Sequence, residues 1–215
     1  MMRKVIPTVF AKNKKQFKRR FRDLLELRRD LQIDFMDGKF VKAKSLKVSE
    51  VPDLQKYGIN FEAHLMCFEP ARYVKDLKKK GFRRVVFHYE AVKDKYKILG
   101  LILYIRNQGM KAIIALNPET DVKEIEDILS EVDGVVMMGV NPGRENQKFI
   151  SNVYGKIRRL RKINSKIRIH VDGGVNLKSA EKLRKLKVNY VNTGSFVSEA
   201  ENPREALREL ERVFR

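Results

Sequence analysis

Short apolar runs alternate with amphipathic stretches along the whole chain. Val5-Ile6-Pro7-Thr8-Val9-Phe10 has the pattern of a strand. Phe17, Phe21, Leu24 and Leu25 then recur at helical spacing, with Lys14, Lys15, Lys18, Arg19 and Arg22 between them. In Leu31–Phe35, apolar Leu31, Ile33 and Phe35 alternate with Gln32 and Asp34, and Met36 completes the second face. Asp37-Gly38 ends that strand with turn chemistry. A short helical stretch is predicted near Val48–Tyr57. The next strands are Phe61–Met66, Arg84–Tyr89, Ala112–Leu116, Val135–Val140, Ile167–Asp172 and Tyr190–Thr193.

Between these strands lie helical patterns with recognisable ends. Pro70 suits a first helical residue, and Gly81 suits the stop. Tyr96–Gln108 ends at Gly109, and Asp121 with Glu124 reads as a capping box. Helices follow around Val153, Ile157 and Leu160, and around Leu183. Asn202-Pro203 opens a terminal helix carrying Leu207, Leu210 and Val213. That gives eight strand-then-helix units at about 27 residues each, compact for a (β/α)8 barrel. Continuous apolar strands between amphipathic helices call for a parallel sheet covered by helices. The expected fold class is α/β, a (β/α)8 TIM barrel forming one domain over residues 1–215. An open doubly wound sheet is the alternative, and it needs fewer units.

An aspartate in mid-strand costs free energy unless it is paired, bonded to a metal, or reactive. A barrel has no free edge, so Asp34 cannot be explained as an edge-strand residue. In a barrel of this kind the chemistry lies at the C-terminal ends of the strands. Thr8, Asp34, His64, Asp172 and Ser195 each fall at or near such an end. Two carboxylates and an imidazole at one mouth suggest acid–base work around a metal. Asp34, His64 and Asp172 are the predicted ligands of one divalent ion, zinc, iron, manganese or magnesium. Gly173-Gly174 and Gly194-Ser195 follow the seventh and eighth strands, where barrels hold phosphate. His88 is read as structural, and His170 as a packed interior residue.

These motifs, in this order, resemble the ribulose-phosphate 3-epimerase family over nearly the whole chain. The matching runs are Met36–Val41, His64-Leu65-Met66, Val140–Gly143 with Gln147-Lys148-Phe149, Val171–Val175, and Gly194-Ser195. The resemblance implies an epimerase that interconverts ribulose 5-phosphate and xylulose 5-phosphate in the pentose phosphate pathway. Asp34 and Asp172 would be its two catalytic groups, transferring protons at C3 with a divalent metal holding both. Gln32 stands where the family has a further histidine ligand, and is the remaining candidate for the metal set. Met36, Met66 and Met138 match residues packed beside the reacting centre, and Thr8 matches a serine that contacts substrate. With Gly143, Gly173, Gly174, Gly194 and Ser195 they make up the expected substrate site. Arg144-Glu145-Asn146 replaces a Phe-Gly-Gly segment that covers substrate, and Lys42-Ala43-Lys44 replaces a Pro-Asn run.

Composition narrows the alternatives. The 43 % apolar content excludes a disordered chain. No apolar run reaches bilayer-spanning length, and the N-terminal run is too short for a secretory h-region. One cysteine, Cys67, excludes an internal disulfide and fits a reducing cytoplasm. The net charge of +20 fits capture of an anionic substrate. Its lysines and arginines lie mostly on helix faces without interleaved aromatics, so no nucleic-acid partner is expected. The expected assembly is a homo-oligomer without membrane attachment. Two rivals remain: an epimerase or isomerase acting on another sugar phosphate, and a non-catalytic barrel that binds polyanions.

Overall fold

The computed structural model describes residues 4–27 and 29–215. Eight parallel strands close into a barrel in sequence order. They are β1 (Lys4–Val9), β2 (Leu31–Met36), β3 (Phe61–Met66), β4 (Arg84–His88), β5 (Lys111–Leu116), β6 (Gly134–Met138), β7 (Ile169–Asp172) and β8 (Tyr190–Thr193). The ring closes where β1 pairs with β8, Val5 opposite Val191 and Pro7 opposite Thr193.

Helices cover the outside. They are α1 (Lys14–Leu25), α2 (Val74–Lys80), α3 (Lys95–Asn107), α4 (Asn152–Ile163), α5 (Leu177–Lys185), α6 (Ser195–Ser198) and α7 (Pro203–Phe214). Caps fix several starts: the Asn13 side chain accepts from the backbone N–H of Gln16, Asp94 from Lys97, Asn176 from Ser179 and Asn202 from Glu205. α2 stops at Gly81, where φ is +94°.

Two units depart from the expected pattern. After β2 the cover is a pair of single 3₁₀ turns, Val48–Glu50 and Gln55–Tyr57. After β5 it is a 3₁₀ helix, Val122–Ile128, rather than the α-helix that the predicted capping box at Asp121 and Glu124 implies. There the Asp121 carboxylate accepts from the backbone N–H of Lys123. Val122, Ile125 and Ile128 recur every three residues and are buried. A period of three matches the three residues per turn of the tighter helix.

Two distinct cores follow from strand alternation. The outward set, including Ile33, Phe35, Phe61, Leu65, Val85, Phe87, Ile114, Met137, Ile169 and Val191, packs against the helices. The inward set divides by chemistry. On β4 to β6 it is mostly apolar, with Val86, Ile113, Ala115, Val136 and Met138 in one cluster, and Arg84 and His88 are the polar exceptions on β4. On β1–β3 and β7–β8 it is polar and buried: Thr8, Gln32, Asp34, Glu62, His64, His170, Asp172 and Asn192. Barrel interiors are ordinarily filled by branched apolar layers. Half of this interior is therefore given over to groups that need partners.

Phe61 locks α1 to the barrel. It is fully buried, and its ring lies 6.0 Å from Phe21 and 6.1 Å from Tyr57, centroid to centroid. Phe61→Ala should destabilise the fold by about 3–5 kcal/mol. Urea unfolding checks this, and a loss below about 1 kcal/mol would show that the site collapses around the deletion.

Candidate active site

The polar half of the interior converges at the C-terminal mouth. β2 and β3 run in register with Asp34 opposite His64, and β6 and β7 with Met138 opposite Asp172. Asp34 and Asp172 thus face each other across the ring with His64 between them. His64 Nδ1 lies 3.2 Å from Asp34 Oδ1 and 3.2 Å from Asp172 Oδ2. Ligand atoms of the three residues fall within 4.8 Å of one another. Two carboxylate oxygens and one imidazole nitrogen at that spacing fit a divalent cation held by three protein groups, with further positions left open.

Gln32 is brought to the same place, with its nitrogen leading. Gln32 Nε2 donates to Asp172 Oδ2 at 2.7 Å and to Asp34 Oδ1 at 3.0 Å, and lies 3.3 Å from the Thr8 hydroxyl. Its Oε1 accepts from Asn192 Nδ2, which also donates to Glu62 Oε1 at 2.8 Å. Glu62 in turn accepts from Arg84 Nε at 2.9 Å. Glu62 and Asn192 drew no attention in the sequence. The visible signal was strand alternation, which places both on the inward face beside Gln32.

His88, read from sequence as structural, touches the site. Its Nε2 is 2.9 Å from His64 Nε2, so one ring donates and the other accepts. Glu90 Oε2 stands 3.4 Å from His88 Nδ1 and favours the proton there. His88 Nε2 is then the acceptor, His64 Nε2–H the donor, and His64 Nδ1 the atom presented to the carboxylates. His170 keeps the interior role expected of it. Its ring packs 4.3 Å from Tyr190, and its Nδ1 is 3.9 Å from Glu62 Oε2.

The electrostatics separate the two aspartates. Burial pushes Asp34 up to about 6, although His64 and Gln32 pull the other way. Burial would also raise Asp172, but its hydrogen bonds to His64 and Gln32 outweigh that and hold it below the usual carboxylate range. Burial by itself would lower His64, yet hydrogen bonds to Asp172 and Asp34, and their charges, carry it up to about 10. Burial lowers His88.

Above these groups a pocket opens, lined among others by Phe10, Met66, Met138, Gly143, Gly173, Gly174, Gly194 and Ser195. Met36 is not part of that lining. It packs with Phe10, Val41 and Met66 in a small apolar cluster under Phe40. Gly173 and Gly174 have φ of +92° and +67°. A Cβ on Gly174 would lie 2.9 Å from the backbone of Phe149, so this pair also lets the β7 loop nest against the loop after β6. Gly194 is different, because a Cβ there would meet only Glu145 Oε1, at 3.7 Å. Glu145 is itself paired with Arg20 at 2.8 Å, and Arg20 with Glu199 at 2.8 Å. The loop that replaces the expected cover thus sets an acid, paired with an arginine that Glu199 shares, beside Gly194.

A closed parallel barrel with an Asp–His–Asp cluster at its mouth and glycine loops after β7 and β8 defines a barrel enzyme of the phosphate-binding kind. Comparison with known proteins fixes which. The profile of the ribulose-phosphate 3 epimerase family matches residues 4–198, and the chain belongs to that family, whose members are isomerases. A relative from Bacillus subtilis named ribulose-phosphate 3-epimerase is 34 % identical over 191 residues, covering 84 % of each chain. The cytoplasmic isoform of ribulose-phosphate 3-epimerase from Oryza sativa is 32 % identical over 184 residues, covering 84 % of this chain and 80 % of its own. Among solved structures, KGPDC from Streptococcus mutans superposes with a TM-score of 0.76 at 14 % identity, covering 100 % of this chain and 98 % of the other. That likeness is one of fold. Among the described residues, no helix is long and apolar enough to cross a membrane.

The charge state of His64 has a measurable consequence. A histidine raised from 6.5 to about 10 contributes stability that is complete below the unfolded value and is lost as pH rises through about 10. Asp34, raised only to about 6, completes its titration at the low end of that window, so the change above about pH 7.5 belongs to His64. In chelator, the stability advantage of wild type over His64→Asn should therefore shrink steadily between pH 6.5 and 10. Thermal unfolding across that range checks it. An advantage that grows with pH would mean that His64 is neutral in the metal-free fold.

Proposed function

We propose that the protein interconverts ribulose 5-phosphate and xylulose 5-phosphate by proton transfer between Asp34 and Asp172 at C3. The observation that carries this reading is the pair of buried carboxylates on either side of one imidazole, each 3.2 Å from its Nδ1. Two acids whose environments push them in opposite directions are suited to opposite tasks. Asp172, the weaker proton holder, takes the proton next to the ketone. Asp34, ready to carry a proton near neutral pH, delivers one to the opposite face. In the reverse direction the roles exchange.

Asp34, His64 and Asp172 would hold the divalent ion. Once bound, it would supply Lewis-acid stabilisation for the oxygen that becomes negative when the proton leaves. The chain's other residues position and seclude the substrate. Met66 and Met138 wall the reacting carbon with apolar surface, and Thr8 offers a hydroxyl beside the Gln32 amide. The phosphate end is assigned to the loops at Gly173-Gly174 and Gly194-Ser195, supported by the open space over Gly194 and by the net charge of +20. The free, buried Cys67 and the cytoplasmic rice relative support a cytoplasmic location.

Glu145 favours a second reading, in which the same chemistry acts on a different sugar phosphate. Its carboxylate lies near Gly194, where phosphate would approach, and Arg20 holds it there. Assaying ribulose 5-phosphate beside other ketose phosphates separates the two. A polyanion-binding barrel without catalysis has no use for the buried Asp–His–Asp cluster.

Asp172→Asn keeps the shape and removes the base. Its kcat should fall by about 10³-fold or more, with the circular dichroism spectrum unchanged. Near-native turnover would sink the two-aspartate assignment. Gly194→Val should raise KM by about tenfold while kcat changes little, because phosphate contacts act equally on ground and transition states. A collapse of kcat at constant KM would remove Gly194 from the phosphate end. Glu145→Gln, which withdraws a negative charge from that end, should lower KM. Steady-state kinetics on the two variants decide both.

A further inference from the structure

Behind the aspartate pair runs a buried hydrogen-bonded chain of Arg84, Glu62, Asn192 and Gln32. We propose that this chain makes Gln32 a positioning residue that donates to both aspartates, and that Gln32 is not a metal ligand. The inference deepens the two-aspartate reading and rests on it for its functional meaning, but the orientation of the amide stands on geometry alone.

The argument is one of matching donors with acceptors. Glu62 is fully buried, and Arg84 Nε donates to its Oε2 at 2.9 Å. Its other oxygen faces Asn192, so Asn192 must present its nitrogen, and it does so at 2.8 Å. The second hydrogen of the same nitrogen goes to Gln32 Oε1. Gln32 then has only its NH₂ group left to turn toward the mouth, where it meets two acceptors, Asp172 at 2.7 Å and Asp34 at 3.0 Å. Two hydrogens face two carboxylates, with Thr8 Oγ1 at 3.3 Å and His64 Nδ1 at 3.5 Å as further neighbours of that nitrogen, and every link from Arg84 to Gln32 pairs a donor with an acceptor.

The alternatives fail. Turning Gln32 alone sets its NH₂ against the NH₂ of Asn192 and its oxygen against two carboxylates. Turning both amides sets Asn192 Oδ1 against Glu62 and still leaves the Gln32 oxygen against the aspartates. Asn192 Oδ1 is buried without a hydrogen-bond partner among the described residues. The fold leaves that one acceptor unmet and keeps the polarity of the chain. Arg84, anchored also by Asp30 at 3.3 Å, fixes the far end. A glutamine can ligate a cation only through its oxygen. Here that oxygen is already engaged, pointing away from the mouth. The amide thus ties Asp34 to Asp172 and holds both faces of the reaction in register, while ligation falls to three residues.

The same polarity governs any residue at position 32. In Gln32→His the imidazole must accept from Asn192 on one side, which places its proton on the side toward the aspartates. Substitution by a histidine is therefore not enough to make a ligand. The experiment has two arms. In the metal-free protein, hydrogen exchange of the Gln32 side-chain NH₂ is followed by ¹⁵N NMR, the signal being assigned by its loss in Gln32→Leu. The expected result is strong protection that disappears in Asn192→Val. Exchange as fast as in an exposed glutamine overturns the proposal. In the second arm, zinc affinity is measured by chelator competition. Gln32→His alone should shift Kd by less than about threefold, whereas Gln32→His with Asn192→Val should tighten it at least about tenfold beyond the sum of the single changes. A tenfold gain from Gln32→His alone overturns the proposal, as does a loss in Gln32→Leu equal to that in Asp34→Asn. Failure of the wild-type protein to bind any divalent ion would sink the metal reading, and the exchange arm would still decide the role of Gln32. Should the variants not fold, the Gln32 signal is assigned by its through-space contacts in the wild-type protein, and its exchange decides alone.

Discussion

Everything at the mouth of this barrel depends on keeping two carboxylates buried beside each other. Each would cost several kcal/mol if left unpaired in a low-dielectric interior. The structure meets that cost with donors from the protein itself. His64 Nδ1 lies between the two aspartates, and the Gln32 NH₂ group spans the same pair. These donors are themselves supported. His64 leans on His88 and, through it, on Glu90; Gln32 leans on Asn192, Glu62 and Arg84. A buried network of this kind is worthwhile only when nearly every member is satisfied. Asn192 Oδ1 stays unmet because turning that amide would set its oxygen against Glu62.

Barrel closure makes the network possible. Parallel register sets Gln32 opposite Glu62 and Asp34 opposite His64, so one strand pair supplies two layers of partners. Asp172 stands opposite Asn192 on the β7–β8 pair, and closure of β8 onto β1 brings Asn192 round to Gln32. The apolar half of the interior, from Val86 to Met138, fills the remaining space and gives the polar half a rigid wall. The helices outside do not enter this arrangement. They bury the outward faces of the strands and hold the ring in place, and so two of the eight units can use 3₁₀ helices without changing the site.

The loop after β6 answers to a different constraint. Gly173 and Gly174 adopt left-handed backbone angles and let the Phe149 segment pack closely against β7. This close packing carries Arg144, Glu145 and Asn146 over the mouth. Glu145 is held there by Arg20 from α1, whose single positive charge is shared with Glu199. The charge at this end of the pocket is thus shared between α1, the β6 loop and the segment after α6.

Sequence periodicity alone determined the architecture. Phe61–Met66 and Tyr190–Thr193 are strands with the ends that alternation gives them, and Pro70, Gly81 and Asn202 act as helix boundaries through their own backbone and capping chemistry. Those signals are local, carried by a few neighbouring residues. Asp34, His64 and Asp172 were legible for a related reason: ionisable residues inside apolar strands are costly enough to call for an explanation. What periodicity missed was partnership. His88 reads as one more core histidine until β3 and β4 bring its ring to His64. Glu62 and Asn192, 130 residues apart, read as ordinary strand polar residues until the barrel closes between them. Gln32 was legible as a substitution in the ligand set, but not in its orientation. Which end of an amide faces the aspartates is decided by what stands behind it, and that depends on contacts between distant strands that only the folded ring creates.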